Sequence, residues 1–121
     1  MRVLNYTPHN INIYKAGLGG NELVCTLQSD GVARCSVNSS LTGSVMLANG
    51  QHSTTVDGVG FDLLKTEFGE VEGLPDEAEG TIIVVSMLVR AALPDRKDLY
   101  SPGPLLRDGN GQPIGCEGLT R

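Results

Sequence analysis

The pattern of hydrophobic and polar positions along this chain predicts short strands separated by turns, with one helical stretch near residues 86–93. "RVLNYT" reads as a first strand of β-favouring residues. "TPHN" follows as a turn, because Pro8 fixes φ and Asn10 tolerates unusual backbone angles. In "INIYK", Ile11 and Ile13 alternate with Asn12 and Tyr14, the pattern of a half-buried strand. "AGLGGN" closes a hairpin to "ELVCTLQ", and "SDG" at 29–31 turns the chain into "VARCSV". A further hairpin is predicted over "SVMLANGQHSTTVDGVGFDLLKT", with Asn49-Gly50 as its type I′ turn and a strand through Leu63, Leu64 and Phe68. "EGLPDEAEG" is an acidic surface loop.

The continuous β-branched run "TIIVVS" predicts a central strand. The pattern then changes. Ser86 is placed to cap a helix over residues 86–93, with Met87, Leu88, Ala91 and Ala92 on one face and Arg90 on the other, and Pro94 stops it. "SPGPLLRDGNGQPIGC" continues as an extended segment, a DGNG turn and a last strand. The expected fold class is α+β: mostly antiparallel sheet of short strands and hairpins with one clear helix, in a single domain over residues 1–121.

Composition narrows the function. Aromatics are only 4% of 121 residues and Trp is absent, so the core rests on aliphatic side chains. A net charge of −5 argues against a nucleic-acid polymer as partner. Eight acids and one base lie between Asp57 and Glu79; outside that stretch eight bases face six acids, which leaves room for a local basic site. Cys25, Cys35 and Cys116 are odd in number and match no zinc spacing. With no secretion signal and no apolar run long enough for a membrane span, the expectation is a cytoplasmic protein with reduced thiols, Cys25 and Cys35 buried in strands.

Catalytic chemistry finds little support. His9 and His52 are the only histidines, His9 sits in a turn, and no GxSxG elbow occurs. "GLGGN" lies between two strands and is not a phosphate loop. Glu70 and Glu72 read as an exposed pair. The candidate ligand-binding residues are Arg90, Arg96 and Arg107, with Asp95 and Asp98 beside them. Arginine forks suit phosphate, and acids suit ribose hydroxyls. Local ion pairing of the same residues is the competing account.

"LNYTPHNINIY", "GVARCSV", "TEFGEVEGLPDEAEGTIIVVSMLV", "ALPDRKDL" and "SPGPLLRDGNGQPIGC" resemble a group of small tailed-phage and prophage proteins over nearly the whole chain. Within it the chain resembles the Thoeris anti-defence sponge proteins. That resemblance implies a phage-encoded, non-enzymatic homo-oligomer. It would sequester a cyclic ADP-ribose or cyclic oligonucleotide immune signal in the host cytoplasm, with no cofactor or metal. The alternative is a protein–protein inhibitor of a host defence complex, or a phage structural accessory protein, using the acidic segment 57–79 as its contact face. The apolar surface of "TIIVVSMLVRAAL" is the expected source of self-association.

Overall fold

A computed structural model of the chain describes residues 1–17, 20–48 and 58–121. The Asn49-Gly50 turn, His52, Asp57 and the middle of "GLGGN" lie outside these residues. The strands are β1 (Arg2–Asn5), β2 (Ile11–Gly17), β3 (Gly20–Leu27), β4 (Arg34–Met46), β5 (Gly60–Glu72), β6 (Thr81–Val84), β7 (Leu99–Pro102), β8 (Leu105–Arg107), β9 (Pro113–Glu117) and β10 (Leu119–Thr120). One helix, α1 (Met87–Ala92), lies between β6 and β7. Contacts group into two compact units, Met1–Cys35 with Glu70–Arg121, and Ser36–Gly69.

The first unit holds two four-stranded sheets, ordered β1-β6-β7-β10 and β3-β2-β9-β8. The expectation of a mostly antiparallel meander is corrected here. β1 with β6, β6 with β7, and β2 with β9 are all parallel, so the sheets are mixed, and the helix content is a single six-residue element. Periodicity reports which face of a strand is buried and says nothing of which strand lies beside it.

The run "TIIVV" is interior because both of its faces are covered. Ile83 and Val85 join Ala33, Val89 and Leu99 in one core cluster, while Val84 points the other way into a cluster with Ile11 and Cys116. All three β-branched residues are at most 1% exposed. α1 carries the chain from β6 across to the parallel β7, as a parallel pair requires. Ser86 caps it, its Oγ accepting from the Val89 N–H at 3.2 Å. The buried helix residue is Val89. Met87 and Leu88 are 65% and 41% exposed, so the expected inward face was wrong. A helix under two turns long is anchored by the one residue over the sheet, and its periodicity cannot fix a stripe. "TIIVVSMLVRAAL" is thus largely spent on the core within one chain. Among the described residues no helix is long and apolar enough to cross a membrane.

The second unit, Ser36–Gly69, consists of most of β4 and β5, which pair as a two-stranded sheet. Each of those strands is 13 residues long.

Candidate functional site

β6 ends at Val84, α1 follows within three residues, and Pro94 ends the helix run. The chain then returns through residues 94–98 to β7. Between α1 and the start of β7 lies a cavity of about 380 Å³, with Arg90, Leu93, Pro94, Arg96, Leu99 and Arg121 in its wall. Three arginines and the apolar residues Ala91, Leu93, Pro94 and Leu99 thus contribute to its wall.

Each arginine is held differently. Arg90 reaches from the helix to β7, where its Nε donates to Ser101 Oγ at 3.0 Å; Ser101 is fully buried. Arg121 lies over the ring of Tyr100, its Cζ 5.8 Å from the centroid, within cation–π range. Arg96 is the most constrained. Its Nε and Nη2 donate to the two carboxylate oxygens of Asp98 at 2.9 and 2.8 Å, Nη2 also donates to the Pro75 carbonyl at 3.1 Å, and Glu77 lies 3.7 Å away. The bond from Arg96 holds the Asp98 carboxyl below the usual carboxylate range, against the desolvation that pushes it up. The same bond raises the Arg96 pKa. Neither Arg90 nor Arg121 has an ion-pair partner among the described residues.

Of the residues expected at a binding site, Arg90 and Arg96 therefore meet. Asp98 faces Arg96 and is bound to it through both carboxylate oxygens. Asp95 is exposed in the turn after the helix. Arg107 does not join them. It is exposed on β8, and its Nη1 donates to the Gly111 carbonyl at 2.8 Å, across the turn that follows. That turn is organised by Asp108 Oδ1, which accepts from the N–H groups of Asn110 and Gln112. Arg121 was missed in the sequence, where a lone arginine after "GLT" carries no motif. The acidic stretch contributes inward: Glu77 and Asp76 both raise the Arg96 pKa.

A second cavity, of about 540 Å³, is lined by parts of the 9–12 segment, the β7–β8 link and β9. His9 and Cys116 both reach it. Cys116 Sγ lies 3.4 Å from the Gly118 carbonyl and 3.8 Å from that of Asn12, and burial pushes its pKa up. A nucleophilic thiol needs the opposite shift. Cys25, expected to be buried, is exposed, and Cys116 is the buried thiol. Among the described residues no group of three or more His, Cys, Asp or Glu side chains is arranged to hold a metal ion.

No protein-family model, no curated protein and no solved structure matches this chain.

Proposed function

We propose that the chain is a binding protein that sequesters a small phosphate-bearing nucleotide, such as a cyclic nucleotide immune signal, and releases it unchanged. A phage-encoded anti-defence role in the host cytoplasm follows from the sequence resemblance. The observation that carries the reading is the cavity lined by Arg90, Arg96 and Arg121 together with Leu93, Pro94 and Leu99. Its volume falls within the ~300–1,000 Å³ of small-molecule sites, which pair an apolar wall with a few placed polar groups. Arginine forks supply charge-assisted hydrogen bonds to phosphate. Among the described residues, the cavity wall includes no histidine, cysteine or carboxylate to act as base or nucleophile, which favours retention of a ligand over its cleavage.

The test is calorimetry and thermal melting with cyclic ADP-ribose, a cyclic dinucleotide and inorganic phosphate. A ligand at a hundredfold excess over Kd stabilises the fold by about 2.7 kcal/mol. Bound nucleotide recovered intact after heating the complex supports sequestration. Conversion of the nucleotide overturns it, and a flat response to every nucleotide favours the protein-inhibitor alternative.

A further inference from the structure

The parallel ladder between β2 and β9 is short: Ile13 pairs with Cys116 and Tyr14 with Glu117. Ahead of those pairs Pro113 has no N–H to give to a ladder, and the Asn12 side chain spans the two strands, its Nδ2 donating to the Ile114 carbonyl at 3.1 Å. The cavity of about 540 Å³ lies at this break. Ile11, Pro102, Leu105, Pro113 and Ile114 give it an apolar wall, and it shares no lining residue with the arginine-lined cavity. Among the described residues no Asp, Glu, Lys or Arg lines it. Burial there pushes the Cys116 thiol up, as a wall that disfavours charge does. His9 and Asn10 add polar groups. Asn10 Oδ1 accepts from the Ser29 N–H at 3.0 Å, which fixes the end of the amide left over. That end is Nδ2, a donor with no partner among the described residues.

We propose that this cavity binds a small uncharged molecule of one or two flat rings with a carbonyl at one edge. Its volume is that of a small-molecule site, ~300–1,000 Å³, and an apolar wall with a few polar groups is the usual make-up of such a site. The wall selects against charge, because an ion without a counter-charge is costly to take out of water. The ring body takes its contacts from the aliphatic and proline side chains. Leu105, 55% exposed, is a large apolar side chain of that wall which an occupant would cover. The carbonyl is the partner that Asn10 Nδ2 lacks within the protein. A phosphate-bearing nucleotide fails on the first count, so this ligand differs in class from the one proposed for the arginine-lined cavity. The two readings stand or fall separately.

Calorimetry with the full chain compares three probes: carbostyril, a bicyclic lactam; quinoline, which keeps the rings without the carbonyl; and naphthoate, which is charged. Carbostyril should bind saturably and about tenfold or more tighter than either, the worth of one good hydrogen bond. Asn10→Asp keeps the acceptor for Ser29 but replaces the free donor with a charge, and should weaken carbostyril by about tenfold or more. Should that variant not fold, Leu105→Ser decides: it removes apolar wall at an exposed position and should weaken binding about fivefold. Amide NMR shifts on adding carbostyril should move at residues 9–12 and 103–116, and not at Arg90 or Arg121. No saturable binding of carbostyril overturns the proposal. So does naphthoate binding as tightly, a folded variant that binds unchanged, or shifts confined to the arginine-lined cavity.

Discussion

Arg96 grips Asp98, two residues further on, through both carboxylate oxygens, and the Asp98 side chain is only 6% exposed. A planar fork on a nearly buried carboxylate is structural first, whatever else Arg96 touches. Asp98→Ala or Arg96→Ala leaves one member of the pair uncompensated and should cost about 3 kcal/mol. The acid side carries the sign. Asp98 is depressed in the folded state, so its contribution is fully present above the ordinary carboxylate value near ~3.9 and is lost as pH falls through the lower folded value. Urea midpoints measured from pH 6 down to 2 should fall more steeply below about pH 4 for the parent than for Asp98→Ala. Parallel curves would show that the pair adds no pH-linked stability.

The cavity lined by Arg90, Arg96 and Arg121, read as a nucleotide site in the proposal above, makes a separable prediction. Arg90→Ala and Arg121→Ala each remove about 1.5–3 kcal/mol of charge-assisted contact, and so should weaken a phosphate-bearing ligand by about one to two orders of magnitude. Arg107→Ala, outside that cavity, should leave affinity within about threefold, a difference of under ~1 kcal/mol. Calorimetric Kd values for the three variants against the parent decide the matter, and an Arg107 effect as large as that of Arg121 would move the site.

Thiol labelling reads the burial directly. Cys25 is exposed and should react with a maleimide in the native protein within the mixing time of a slow assay, while Cys116 should react only on unfolding. Its raised pKa keeps it as thiol further into the alkaline range, so raising the pH to 8 should not open it. Mass spectrometry of the labelled peptides assigns each site.

Asn5 is 1% exposed and uses its whole side chain. Oδ1 accepts from the Thr7 N–H and hydroxyl at 3.0 and 2.7 Å, and Nδ2 donates to the carbonyls of His9 and Leu27 at 2.8 and 3.0 Å. Asn5→Ala strands these groups and should cost at least about 3 kcal/mol. Asn5→Asp keeps the acceptor but sets a carboxylate against two carbonyls, so it should melt no higher than the alanine variant. A melting temperature within a degree or two of the parent for either would discount the network.

What the sequence carried best were features in which cause and residue are adjacent. The β-branched run at 81–85, the Ser86 cap and the Asp108 turn each depend on neighbours in the chain, and each formed where expected. Partner choice depends on distant residues, so the parallel pairings were not legible. β4 was only partly legible for another reason. "SVNSSLTG" is polar on every second position and nearly so on the rest, and no run of apolar residues marks it as strand. At the candidate site, Arg90 and Arg96 were legible as arginines near a helix end. Their division of labour was not, because it turns on Ser101 and Asp98 lying where β7 places them. The second core, around Ile11 and Cys116, was hidden for the same reason.

The pairing of Arg2 with Thr81 has a kinetic side. During synthesis β1 emerges long before β6, the strand it must lie beside, and β6 sits in the middle of its own sheet. Until then β1 offers a free edge to whatever strand is near, a hazard for chains with distant parallel pairs. The β2–β3 hairpin, closed locally, is free to form first. The sheet around β6 must await nearly the whole chain, so refolding should be slow for a domain of this size.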